Sequence, residues 1–418
     1  MRFAHRRPLI VTAISLVCCF SSAPARAQEW TRFRGPNGTG LAPSDKIPTE
    51  WTASDYAWKL ELPGVGHSSP VLWGDKLFLT SADEESAERI VLCIDALAGK
   101  ILWQKRYPST AHPKHLRNSF ASASPAVDAH HVYVAWTAPS EYTLLALDHQ
   151  GKEAWRRDLG PFDSQHSGGT SPIVYEDLVI LGNDQDGVSF LAAVNASDGQ
   201  DRWRTERRSA VVAYSTPCVY QPTGGKPELI FNSQAHGISA IDPVTGKTDW
   251  ELEVFDKRSV SSPIVAGGLI FGSCGSGGGG GGVMAVKPGP EPKLAYKVTD
   301  AAPYVPTLIA KGPLLFLWSD KGIVSCLRAA TGEAVWRERV GGNYSGSPII
   351  AGEHLYCIAD DGTVVVLDAS ENYRLVARNA LGEDSRSTPA VVGDRMYLRT
   401  FSHLFCLGPQ NQRTAKAD

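Results

Sequence analysis

The residues of this 418-residue chain best suited to chemistry stand just ahead of a set of recurring prolines and in two long links between repeats. His67, Ser122, Tyr214, Arg258, Tyr304, Tyr344 and Arg386 make up the first group, and His112, Lys114, His115, Arg117, Asn118 and His166 the second. Imidazoles, phenols and guanidinium groups converging on one mouth could hold a planar or carboxylated ligand by stacking and bidentate hydrogen bonds. That is binding chemistry, and no catalytic residue is assigned. His112-x-x-His115 has a metal-like spacing, but Pro113 opposes the helix that would align the two rings and a third ligand is missing, so no metal site is assigned. Asn183 to Gly187 opens like a calcium loop without the distal Glu or flanking helices. Gly275 to Gly282 has neither the helix nor the Lys of a phosphate-binding loop, and reads as a flexible loop. No G-x-S-x-G elbow presents a nucleophilic serine.

The elements that must position these residues repeat. Ser68-Ser69-Pro70-Val71, Ala123-Ser124-Pro125-Ala126, Thr170-Ser171-Pro172-Ile173 and Ser215-Thr216-Pro217-Cys218 are followed by similar segments at Pro263, Pro306, Pro348 and Pro389. The eight prolines are 55, 47, 45, 46, 43, 42 and 41 residues apart, a period that suits four short strands per unit. Within units the pattern alternates with period two, as in Asp75 to Thr80 and His354 to Ile358, which marks half-buried strands. A second anchor, G-x-x-x-W, pairs Gly99 with Trp103, Gly151 with Trp155, Gly199 with Trp203, Gly246 with Trp250 and Gly332 with Trp336. The glycine ends a turn between third and fourth strands, and the tryptophan covers the flank between neighbouring units. Unit eight stops at Gly408 before any fourth strand, whereas Tyr56 to Leu62, ahead of the first proline, is a strand without a unit. Trp58 and its neighbours therefore complete the last unit and leave no open edge. The reading is an all-β chain, an eight-bladed propeller of four-stranded antiparallel blades over residues 56–408, with an N-terminal arm at 28–55 and a disordered tail at 409–418.

In a four-stranded meander the second-to-third loops share one rim with the links between blades. From closing Trp to next proline, most links span 12 to 14 residues, but Trp103 to Pro125 takes 22 and Trp155 to Pro172 takes 17. Nearly all insertions therefore decorate one rim, the one that carries the candidate site.

Composition agrees with turn-rich β structure: 40 Gly and 27 Pro are roughly one residue in six, too many for a helical bundle. Residues 1–27 carry Arg2, Arg6 and Arg7, the apolar run Leu9 to Phe20 and Ala25-Arg26-Ala27, the pattern of a secretory signal peptide. A run of 12 apolar residues is too short to span a bilayer, so no transmembrane segment is expected after its removal. The expectation is an exported protein, periplasmic or extracellular. Losing four arginines leaves 37 cations against 44 acids, a net charge of −7. This balance gives no general attraction to phosphate backbones, and nucleic acid is not an expected partner. The six mature cysteines are far apart, and the sequence does not pair them. Cys93, Cys326 and Cys406 occupy equivalent places and read as small core residues of one repeated strand.

Gly237-Ile238-Ser239-Ala240-Ile241-Asp242-Pro243-Val244-Thr245-Gly246, running on to Trp250, resembles the pyrroloquinoline-quinone (PQQ) type propeller repeat, A-L-D-x-x-T-G-x-x-x-W. The resemblance spans Trp58 to Gly408. The opening Trp30-Thr31-Arg32-Phe33-Arg34-Gly35-Pro36-Asn37-Gly38 is similar to the arm of secreted bacterial PQQ-binding-like propellers. Similar rings serve PQQ-dependent alcohol dehydrogenases and the propeller lipoprotein of the outer-membrane β-barrel assembly machine. The dehydrogenases carry two adjacent cysteines beneath the quinone, and the mature chain has no adjacent pair; their calcium-ligating Glu and Asn and their catalytic Asp have no matched positions here. No cofactor is therefore assigned, and a PQQ- and calcium-dependent dehydrogenase for small alcohols or sugars stands as the alternative. The assembly factor's lipid-anchoring cysteine also has no counterpart. The expected function is a binding or scaffold protein that recognises a small ligand in the propeller funnel, a peptide or an envelope protein through the decorated rim.

Overall fold

A computed structural model describes residues 29–277 and 279–409. The signal-peptide reading of 1–27 and all of the expected tail beyond Pro409 lie outside the described residues. The described chain forms eight blades of antiparallel strands closed into a ring. Blade 1 runs Val71–Trp73, Lys76–Ala82, Arg89–Asp95 and Lys100–Tyr107 from the channel outward. Its two middle strands are buried almost throughout, and its outermost strand is exposed or half-buried along its length. The fully buried strands read as continuous apolar runs because both faces pack on neighbouring blades.

Blade 8 has Ala390–Val392, Arg395–Arg399 and His403–Leu407 from the C-terminal end, and Tyr56–Glu61 completes it, with Trp58 opposite Cys406. Arg399, buried completely, fastens the same junction from the inside. Its guanidinium donates to Ser68 O (2.9 Å), Thr80 O (2.7 Å) and Ser81 Oγ (2.9 Å) of blade 1.

The G-x-x-x-W anchors join blades in sequence. A Cβ at Gly99, Gly151, Gly199 or Gly246 would lie 2.4 to 2.8 Å from the indole of Trp58, Trp103, Trp155 or Trp203, the closing tryptophan of the preceding blade. Each of these indoles also donates its N–H to a carbonyl in that next turn: Trp58 to Ala96 (3.1 Å), Trp103 to His149 (3.1 Å), Trp155 to Ala196 (2.9 Å) and Trp203 to Pro243 (2.8 Å). Tyr296 replaces Trp in blade 5 and keeps both contacts, with the Gly332 turn and with Ala329 O.

Two sequence expectations change. In blade 6 the inner strand begins at Ile309, so Leu308, not Pro306, takes the place that proline holds in the other blades. The described glycines at 275 and 279–282 belong to strands rather than a flexible loop: Leu269–Ser276 and Gly279–Lys287 pair as a long hairpin. A Cβ at Gly280 would meet Ala302 O at 1.9 Å, so the close approach of the 302–304 segment requires glycine there. The six cysteines among the described residues are buried and free, with Cys93, Cys326 and Cys406 in third strands. Among the described residues no helix is long and apolar enough to cross a membrane.

Candidate functional site

The segment leading into each inner strand lines the channel in two tiers, because alternate side chains of extended backbone face the same way. Three residues before the strand-opening position stand His67, Ser122, Gly169, Tyr214, Val260, Val305, Ser345 and Arg386. One residue before it, a hydroxyl occurs in every blade. These hydroxyls form a closed circle. The N–H of Ser69 donates to Ser124 Oγ (2.8 Å), that of Ser124 to Ser171 Oγ (2.9 Å), that of Ser171 to Thr216 Oγ1 (3.4 Å) and that of Thr216 to Ser262 Oγ (3.1 Å). Ser262 N–H then donates to Thr307 Oγ1 (3.0 Å), Thr307 N–H to Ser347 Oγ (2.9 Å), Ser347 N–H to Thr388 Oγ1 (2.9 Å), and Thr388 N–H returns to Ser69 Oγ (3.1 Å).

The N-terminal arm blocks the far mouth. Trp30 O accepts from Leu72 (2.9 Å) in blade 1 and Thr31 O from Val127 (2.8 Å) in blade 2. Arg32 donates to Pro217 O, and Asn37 bonds the Val219 backbone in both directions (2.8 and 2.7 Å) in blade 4. Arg34 reaches Pro348 O (3.2 Å), and Leu41–Ala42 adds a parallel strand to Ile349–Ala351 of blade 7. Gly35, at φ 68°, turns this crossing, and a Cβ there would strike the Trp30 ring at 2.6 Å. Phe33, between the two arginines, lines the cavity. The channel is thus a blind funnel of about 700 Å³.

The long links close over the open mouth and brace each other. Asn118 Nδ2 donates to His166 O (2.7 Å) and Gly168 O (3.1 Å), and the His115 and His166 rings meet edge to face at 4.9 Å. Arg386 donates to Leu116 O (3.2 Å) and lies over Phe401. The His67 ring packs tilted against Phe401, centroids 4.9 Å apart, and its Nδ1 is buried without a partner among the described residues. In blade 6, Asp320 accepts the N–H groups of Tyr304 (2.7 Å) and Val305 (3.2 Å), which fixes Tyr304 in the wall.

Of the eleven ligand-binding candidates, His67, His115, Arg117, Asn118, His166, Tyr214, Arg258, Tyr304 and Arg386 line this cavity. His112 and Tyr344 do not. His112 turns away to bond Ser167 Oγ (3.0 Å) and Thr110 O (2.9 Å). Tyr344 lies four residues before Pro348, so Ser345 takes the lining position and the phenol is buried against Trp318. Sequence reasoning also passed over Lys321, Phe33 and the hydroxyl ring. The Ser or Thr before seven blade-opening prolines was the available signal for the ring.

Arg117, Arg258, Lys321 and Arg386 bring four cations to the lining, and no Asp or Glu is among the described lining residues. The imidazoles are held neutral. Burial, then the charges of Arg386 and Arg399, lowers His67 to about 3. Burial, then Arg117, lowers His115, and burial, then Arg258, lowers His166. Burial raises the Tyr214 phenol to about 12. Phenols and hydroxyls that stay protonated, with fixed cations, form a donor-rich wall suited to an anion.

Fold and site together define an eight-bladed propeller with a basic, blind axial funnel. Residues 51–288 and 303–411 match the PQQ_2 family profile, described as outer membrane protein assembly factor BamB, and the chain belongs to this family. Among solved structures it is similar to BamB from Moraxella catarrhalis, with 15% identity, TM-score 0.63, 85% of this chain and 98% of that one covered. It is also similar to the quinohemoprotein alcohol dehydrogenases of Comamonas testosteroni (13% identity, TM-score 0.63, 91% and 80% covered) and Pseudomonas putida HK5 (12% identity, TM-score 0.64, 94% and 82% covered). At these identities the likeness shows the fold. No curated protein matches the sequence.

Proposed function

We propose that this chain is an exported binding protein whose decorated rim and funnel recognise an anionic ligand. The observation that carries the reading is the funnel lining, with four cations and no carboxylate among the described residues, in a chain whose mature net charge is read as −7. A low-dielectric cleft lined by one sign of charge focuses its field on ligands of the opposite sign. Export is supported by the leader pattern and by the envelope role in the family's description. A scaffold role would use the same face, where Leu116 is 92% and Val188 73% exposed.

The quinoprotein alternative fits less well. Fixed cations suit the carboxylates of PQQ, but calcium takes oxygen ligands dominated by carboxylates, and the described lining offers none. The free cysteines sit singly in separate blades.

The test is calorimetric titration of the mature chain with citrate. Saturable binding is expected, weakening with added salt and falling at least tenfold in each of Arg258→Glu and Arg386→Glu. Absence of saturable citrate binding, or affinity unmoved by both reversals, overturns the reading.

A further inference from the structure

The floor of the funnel is built differently from its mouth. Each hydroxyl of the ring accepts one backbone N–H and is thereby held in place, yet its own proton has no acceptor among the described residues. All eight side chains belong to residues no more than 6% exposed, and all line the cavity. A buried hydroxyl ordinarily donates as well as accepts, because an unmade hydrogen bond in a dry site is costly. These eight donors point to an acceptor supplied from outside the chain.

The charge beneath the ring agrees. Arg32 and Arg34, on either side of Phe33, are 5% and 0% exposed and donate only to neutral carbonyls of Pro217, Gly38 and Pro348. Neither has a carboxylate partner among the described residues, and the Nε of each is unpartnered. Burial lowers them to about 10 and about 9, so both remain cationic at neutral pH. Two buried cations without counter-ions are unfavourable unless an anion comes near.

We propose that the hydroxyl ring is a second oxyanion site, so that the funnel's ligand is a dianion with one carboxylate or phosphate among the rim cations and the other on the ring. This rests on the anion-binding reading of the funnel. One cavity of about 700 Å³ contains both sets of residues, a volume that suits a ligand of many atoms rather than a single ion. No bond is made or broken in this role.

The experiment titrates the mature chain with straight-chain α,ω-dicarboxylates of four to ten carbons and with monocarboxylates of equal length. A parallel series of ω-phosphonocarboxylates separates carboxylate from phosphate preference. The dianion is expected to bind at least tenfold tighter than its monoanion at one optimal length. Thr216→Val, which keeps the shape but removes one of the eight hydroxyls and the acceptor of the Ser171 N–H, should lower that ratio at least threefold, and Thr216→Ser should restore it. Arg34→Met, which leaves the ring's bonds intact, should lower the ratio as well, and thermal melting follows folding in every variant. Saturable monoanion binding with no dianion advantage at any length overturns the floor site and leaves the rim reading standing. So does a ratio unchanged in both Thr216→Val and Arg34→Met. Failure of every anion to bind overturns both.

Discussion

His67 shows how burial and charge can act in the same direction on one side chain. It stands in the funnel wall with an unpartnered Nδ1, near Arg386 and Arg399. Burial, Arg386 and Arg399 lower its pKa to about 3, below the ordinary 6.5. The unfolded chain therefore takes up the proton first as pH falls. The contribution of neutral His67 is fully present above about 6.5 and is lost progressively down to about 3, with a limiting slope of about 1.4 kcal/mol per pH unit. Between pH 7 and pH 5 the native chain should lose about 2 kcal/mol more unfolding free energy than His67→Gln, as read from urea transitions at each pH. Equal losses in the two proteins would remove His67 from the titration. An anion in the funnel acts in the opposite sense, drawing protons onto His67, His115 and His166, so its binding should strengthen as pH falls.

At the scale of the blade, the joint between one closing tryptophan and the next blade's glycine is the repeated unit of packing. Gly246 sits at φ 72° with the Trp203 ring 2.6 Å from where a Cβ would lie. Gly246→Ala combines a left-handed backbone penalty of about 1–2 kcal/mol with an overpacking cost of about 1–3 kcal/mol. The urea transition should show a loss of about 3 kcal/mol. Gly382→Ala, at φ 81° with nothing within 4 Å of the added Cβ, should cost only about 1–2 kcal/mol. Equal costs at the two sites would mean that the indole contact adds nothing. These joints were readable in the sequence because glycine and tryptophan recur four residues apart. The borrowed strand was readable because unit eight stops at Gly408 without a fourth strand while Tyr56 to Leu62 has no unit of its own. Blade 6 was misread because Pro306 imitates the motif two residues early. The hydroxyl circle was not readable as a circle: its closing bond joins Thr388 to Ser69, 319 residues apart, and exists only once the ring is shut. Nor does any local pattern announce that Phe33 closes the funnel, since the arm's bonds to blades 4 and 7 join residues more than 180 positions apart.

For the whole molecule, the same N-terminal segment performs two separable tasks. Tyr56–Glu61 closes the ring, while Trp30 to Ala42 crosses the far mouth and places Trp30 in the core of blades 1, 7 and 8. Arg399 and the hydroxyl circle hold the ring from within and do not involve the arm. A chain beginning at Glu50 should therefore stay folded and gain no tendency to associate. It should be less stable by at least the about 3–5 kcal/mol of a deleted buried tryptophan, and its channel should be open at both ends. A chain beginning at Pro63 also loses the closing strand, which bares the backbone of His403–Leu407 along a full edge, and exposed edges recruit other strands. Size-exclusion chromatography should find the first chain no more associated than the mature chain and the second further associated or unfolded. If the Glu50 chain also associates, the arm is part of the closure rather than a plug laid across a ring that is already shut. If the Pro63 chain stays folded and gains no association, closure rests on Arg399 and the hydroxyl circle alone, and the borrowed strand does not hold the ring.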